Sequence, residues 1–451
     1  MNLAQPLNLG CLCRTLNPGR LREQLETDPS LKGMVDGLAA THPHLFSETA
    51  VFLDADVRTA LGRAIAAIER VIALPAYRQL ALAQAPEIAR HQFGPAGVFM
   101  AYDFHLGADG PRLIEINTNA GGALLNAALA RAHRACCESM QGLMDASTDL
   151  LQLDSVFVAM FRAEWRAQRG SRPLRSILIA DDAPDAQYLA PEFALARQLF
   201  LAHGLVAAVG DARALHYEDG ALWHPALPEG VPVDLVYNRL TDFSLSEPAH
   251  SALHSAYVAG AAVVTPHPRA HALYADKRNL ITLGDDALLG AWGVSAEDRR
   301  LLQSVIPHTE LVLPEQAEAL WARRRQLFFK PAAGYGAKAA YRGDKLTRGV
   351  WRDILAGGFI AQALVAPSER LVDVDGVATR LKLDLRAYTY CGQVQLLAAR
   401  TYTGQTTNFR TAGGGFSPVV VLPPFDAQLA AREATSCASG DACSPAAGTA
   451  C

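Results

Sequence analysis

The chain has no surplus of positive charge, no long apolar run and few cysteines, and each shortage excludes something. Its 41 Lys and Arg residues face 45 Asp and Glu, a net charge of −4. That balance lacks the electrostatic footprint of a nucleic-acid or anionic-membrane binder. No uninterrupted apolar stretch is long enough to span a bilayer. The opening Met-Asn-Leu-Ala-Gln-Pro-Leu-Asn-Leu-Gly has neither a charged lead nor a long apolar run, so no secretory signal is expected. Eight cysteines in 451 residues are too sparse for a disulfide framework. They fall at Cys11 and Cys13, Cys136 and Cys137, Cys391, and Cys437, Cys443 and Cys451. The interior ones read as reduced packing residues of a cytoplasmic protein. With half its residues apolar and 19% charged, the chain can bury a large core in two or three subdomains.

The most informative stretch is Arg112-Leu-Ile-Glu-Ile-Asn-Thr-Asn-Ala-Gly-Gly122. It predicts a strand that ends in a carboxylate and an amide, then a glycine turn. Glu115 and Asn117 are two apart, so they share one face of the strand. Both offer hard oxygen atoms, suited to Mg²⁺ carrying a nucleotide's phosphates. Asp103, closing the run Val98 to Asp103, offers a third. Leu106-Gly-Ala-Asp-Gly-Pro111 would join the two runs as a hairpin. Ordinary strand-end polarity is the plainer reading of the same residues.

Residues 45 to 90 show helical periodicity, with Leu61, Ile65, Ile68 and Ile72 on one stripe. Helices are also predicted over Ala123 to Met144 and Asp145 to Arg169. From residue 172 to 270 short strands near 175–180, 205–209, 233–239 and 261–265 alternate with helices. That alternation predicts a small parallel α/β lobe. Past Leu327 come shorter strands with glycine turns. The last residues, 426–451, are small and polar, cannot build a core, and read as a disordered tail.

Three further groups carry chemistry. Phe328-Phe-Lys-Pro-Ala-Ala-Gly-Tyr-Gly336 is a strand, a lysine and a glycine loop. Lys330 is placed to meet phosphate as a point charge, and Gly334 and Gly336 let backbone N–H groups approach it. Arg386, Arg400 and Arg410 lie on or beside neighbouring late strands and a loop through Gly413 and Gly414. Their guanidinium forks suit carboxylate or acyl-phosphate oxygens. Arg239, at a strand end of the α/β lobe, is a candidate carboxylate contact.

Together these motifs resemble the ATP-grasp ligases, in the circularly permuted branch typified by eukaryotic-type glutathione synthetase. The resemblance spans roughly residues 95 to 420 in short motifs. It implies an α+β and α/β architecture, an ATP-grasp fold with circular permutation and an inserted parallel lobe. The divisions would be a helical lead-in (1–95), metal-binding strands (96–171), a substrate lobe (172–270) and nucleotide-clamping lobes (271–425). It implies ATP and Mg²⁺ as cofactors, with Asp103, Glu115 and Asn117 on the metal. Lys277, Lys330, Gly334, Gly336, Gln362, Ala363, Leu364 and Glu369 would hold the nucleotide. In that set the backbone of Ala363 and Leu364 reads adenine and Glu369 reaches ribose. Arg386, Arg400 and Arg410 would be catalytic, and Asn119, Arg239, Gly413 and Gly414 would face substrate.

The implied reaction joins a small carboxylic acid to an amine, an amino acid or small peptide, through an acyl phosphate. No nucleic-acid or membrane partner is implied, and a homodimer is left open. The chain departs from the family in two places. Ala101 stands where an arginine is common, and Ala332 to Gly336 contains no acid. A degenerate module that binds ATP without ligation, or a thiol or metal role for the cysteine tail, are the other readings.

Overall fold

The computed structural model describes residues 3–107, 109–135, 149–334 and 339–423. In chain order the strands are β1 (Val51–Asp54), β2 (Met100–Gly107), β3 (Gly110–Asn117), β4 (Ser176–Asp181), β5 (Val206–Asp211), β6 (His216–Glu218), β7 (Ala221–Trp223), β8 (Leu235–Asn238) and β9 (Val263–Thr265). They continue as β10 (Thr309–Leu311), β11 (Leu327–Pro331), β12 (Tyr341–Arg342), β13 (Phe359–Ala363), β14 (Ser368–Val374), β15 (Val377–Tyr390), β16 (Gln393–Tyr402) and β17 (Gly415–Leu422).

The largest sheet runs β1-β17-β16-β15-β2-β3, with β14 also on β15. The predicted hairpin is there: β2 and β3 are antiparallel and Asp103 faces Glu115. β15 lies antiparallel on β2, with Arg386 opposite Asp103. Strand alternation then sorts the side chains. Tyr102, Phe104, Leu385, Ala387 and Ala399 enter one core, against the helix Ala55–Ile72. Ala101, Tyr388 and Ala398 enter the opposite core, against Phe157, Phe161 and Trp165 of the helix Asp149–Arg169. Asp103, Arg386 and Arg400 are even-spaced with this second set, so they gather on that face at the sheet's end.

The α/β lobe is a parallel sheet in the order β5-β4-β8-β9. A third sheet, β10-β13-β11-β12, is antiparallel. It packs Leu327, Phe329 and Ala361 on Trp351 and Ile354, which turns Lys330 and Gln362 to its other face.

Two expectations fail. The stretch from residue 45 is not all helical, because Val51–Asp54 is an edge strand parallel to β17. The helix from Ala123 stops at Ala132, and His133 instead bridges to Leu16. An Ala/Leu run carries no stop signal of its own; the chain turns where His133 is buried with Nδ1 2.7 Å from Thr15 Oγ1. Residues 136–148 and the tail lie outside the described residues. The early segment is tied in by Arg370, only 1% exposed, which donates to the carbonyls of Asn8, Cys11, Ala50 and Leu371.

Candidate active site

The three sheets meet around a cavity of about 830 Å³. Among the described residues its wall carries seven Lys or Arg and four Asp or Glu. An enclosure with that surplus selects anions.

At its floor lies an ionic layer shared by three strands. Asp103 is 1% exposed. Arg386 donates to both its oxygens, from Nε and Nη2, at 2.7 Å each. Arg400 donates from Nη2 to Asp103 at 2.9 Å and from Nε to Asp384 at 2.7 Å. Asn117 Nδ2 adds a bond to Asp103 Oδ2 at 3.0 Å. Burial pushes the Asp103 carboxyl up, but the two guanidinium groups outweigh it and hold the group below its usual range. Asp103 thus takes three donors on Oδ2 and one on Oδ1. These bonds fix Arg386 and Arg400 in place, on the same carboxylate for which the resemblance implies metal ligation.

Glu115 and Asn117 are placed differently. Among the described residues Glu115 accepts only a long 3.4 Å bond from Asn117, and Lys277 Nζ stands 3.7 Å away. Burial pushes the Glu115 carboxyl up, while Lys277, Lys330 and Arg400 pull it further down, so it stays ionised. A half-buried carboxylate this poorly hydrogen-bonded fits a hard cation. Asp182, Glu247 and His250 also come within metal-ligand reach of one another. Both His250 nitrogens are engaged there, with Asp182 at 3.0 Å and Asp242 at 2.9 Å.

Two lysines enter from the clamp side. Lys330 is 6% exposed and crosses to the carbonyl of Ile114 on β3 at 2.9 Å, while Gln362 Oε1 accepts a second bond at 2.9 Å. Lys277 donates to the carbonyl of Gly334 at 2.7 Å. Gly334 has to be glycine, since a Cβ there would stand 2.8 Å from Pro331. Gly336 lies outside the described residues.

The glycine turn after β3 is fixed by a residue the sequence reading passed over. Glu192 accepts the N–H groups of Gly122 at 2.6 Å and Leu124 at 3.1 Å. Gly122 sits at φ +95, and a Cβ would stand 2.4 Å from Phe416. In sequence Glu192 looked like an acid in a helix's first turn, which is common. Beyond the turn, Asn119 donates to the Leu240 carbonyl at 2.9 Å and accepts from Arg239.

No family model matches this chain, and no curated protein matches it. Solved structures do. It is similar to a glutathione synthetase-like effector from Globodera pallida, at 11% identity over 90% of this chain and 98% of that one, with a TM-score of 0.47. It is similar to a putative gamma-glutamylcysteine synthetase from Methylobacillus flagellatus, at 12% identity over 81% and 86%, TM-score 0.43. It is also similar to the ATP-grasp ligase PsnB, solved with a minimal precursor variant, Mg and ADP, at 16% identity over 55% and 88%, TM-score 0.30.

The remaining sequence candidates lie at or beyond the rim. Ala363 and Leu364 line the wall. Their N–H groups are spent on the carbonyls of His308 at 2.7 Å and Gln326 at 2.8 Å, so an N–H contact from either to a base would break one of these bonds. Glu369, Arg410, Gly413 and Gly414 are not part of the wall. Glu369 pairs with Arg380 at 2.9 Å on an exposed stretch of β14 and β15. Arg410 is exposed. The Gly413 carbonyl accepts from Ser47 at 3.1 Å.

Proposed function

We propose that the chain is an ATP-dependent carboxylate–amine ligase of the permuted ATP-grasp type. What supports this reading best is the meeting of Lys277 and Lys330 with Glu115 across two sheets, beside a paired arginine set. Phosphates would lie against the two lysines. Mg²⁺ would be held by Glu115 and Asn117, and would supply charge neutralisation on the phosphates. Arg400 and Arg386, held rigid by Asp103 and Asp384, would face the acyl phosphate and the oxyanion of its breakdown. They take the place of the arginine absent at Ala101, whose site is core. Arg239 would take a substrate carboxylate. The amine then displaces phosphate, giving amide, ADP and phosphate. A second reading, ATP binding without ligation, is favoured by the commitment of Asp103 to arginines. ATP binding by calorimetry with no ADP formed over a panel of amino acids and small peptides would decide for it.

Glu115→Gln tests the metal assignment. We expect turnover to fall about 100-fold or more, as loss of several kcal/mol of charge stabilisation implies. Circular dichroism should be unchanged. Turnover within twofold of wild type would remove Glu115 from the metal site.

Lys330 gives a pH signature. Burial pushes its ammonium down to about 8. A bound phosphate would raise it again. The affinity it supplies is therefore fully present below about pH 8 and lost as pH rises toward the bound-state pKa. The Kd for ATP should climb by up to about tenfold per pH unit over that window. Calorimetry from pH 7 to 9.5 would show it, and Lys330→Ala should flatten the profile. An equally steep profile in that variant would assign the effect elsewhere.

A further inference from the structure

Arg239 is a buried cation with no acid at ion-pair distance among the described residues. It is 7% exposed and its Nε meets no acceptor. Nη1 is used on Asn119 Oδ1 and, at 3.4 Å, on the Tyr237 hydroxyl. Arginine is rarely buried without a carboxylate.

What stands beside it is new. The Arg239 N–H donates to the Ala180 carbonyl at 2.8 Å, continuing the register that sets Ala180 against Asn238. Carried one residue further, that register would set Asp181 beside Arg239. Partners on adjacent strands are about 4.8 Å apart and send their side chains to one side. Asp181 closes β4, is 8% exposed and lines the cavity. Its Oδ1 accepts the Asp182 N–H at 2.8 Å. No Lys or Arg among the described residues reaches it at ion-pair distance. Burial pushes its carboxyl up to about 6, with Arg239 pulling the other way. Neither group is in an ion pair among the described residues, although the buried Glu192 carboxyl also feels the Arg239 charge; both follow paired strands at the carboxyl end of a parallel sheet, where such sheets take ligands.

The cavity that Asp181 and Arg239 line also carries aromatic rings. Tyr188 stacks on Phe409 at 5.6 Å, and Phe243 on His271 at 3.9 Å. All four rings line the same cavity.

We propose that this end of the cavity is a subsite for a free α-amino acid with a bulky apolar or aromatic side chain. Arg239 takes its carboxylate, Asp181 takes its ammonium, and Tyr188, Phe243 and Phe409 contact the side chain. A simple acid would leave Asp181 unpaired, and a simple amine would leave Arg239 so. The role of this ligand as a substrate rests on the ligase reading; its binding does not.

Calorimetry on the full chain tests it, with L-phenylalanine, N-acetyl-L-phenylalanine, L-phenylalaninamide and glycine, each with and without a non-hydrolysable ATP analogue and Mg²⁺. L-Phenylalanine should bind about tenfold or more tighter than the other three. Asp181→Asn should abolish its advantage over the N-acetyl compound, and Arg239→Gln its advantage over the amide. Nucleotide affinity in each variant reports the fold, and the wild-type ligand series stands if a variant does not fold. Equal binding of a blocked compound or of glycine overturns the proposal, as does nucleotide binding with no amino acid bound. Binding of L-phenylalanine without any nucleotide binding would sustain the subsite and sink the ligase reading.

Discussion

Arg400→Lys is expected to lower ligase turnover about 10²–10³-fold while ATP affinity stays within twofold. The guanidinium of Arg400 spans two acids at once, from Nε to Asp384 and from Nη2 to Asp103. That bridging needs a planar fork; an ammonium satisfies one acid and leaves the other buried and bare. Lysine should therefore do nearly as much damage as alanine. The sequence alone put Arg410 on an equal footing, but Arg410 is exposed and outside the wall. Arg410→Ala should accordingly stay within threefold of wild type. The check is steady-state ADP release with the true substrates. Full turnover in Arg400→Lys would mean that the developing charge is met elsewhere.

Asp103→Ala is expected to destabilise the fold by about 3–5 kcal/mol, the usual cost of leaving a buried charge without its partner. Arg386 would lose its acid outright, while Arg400 would keep Asp384. The loss should appear as a lower urea midpoint at unchanged slope. Pairing Asp103→Ala with Arg386→Met should recover part of it, since removing both charges removes the uncompensated one. A loss under about 1 kcal/mol would show that the pair is not structural, and that Asp103 is freer to meet a metal than its bonds suggest.

Much of this architecture is legible in the sequence because the signals are local. A glycine turn between two alternating runs announces β2 and β3. The strand–helix alternation from residue 172 announces the parallel sheet. The turn of Lys330 away from Phe329 follows from a period of two. The rest depends on partners far apart in the chain. Nothing near Asp103 says that Arg386 will face it. Asp181 ends a short buried strand and looks like any strand-end acid until the register sets it beside Arg239. Glu192 is invisible for the same reason. The Ala/Leu run after Gly122 has apolar periodicity but no stop signal, so the sequence does not show that its helix ends at Ala132.

The pairing of β2 with β15 also bears on how the protein is made. Asp103 and its partner Arg386 are 283 residues apart. Residues 100–104 already have β3 on one side but find β15 on the other only when residues 385–389 exist. During synthesis the early hairpin must wait, with an open edge and an unneutralised acid, while the α/β lobe and the third sheet emerge. Closures over such distances are slow, and waiting edges invite association between chains. Ribosome-bound chains stalled before residue 377 should leave the β2 amides that face β15 open to hydrogen exchange, and chains released after residue 402 should protect them. Early protection would mean that the hairpin finds temporary shelter.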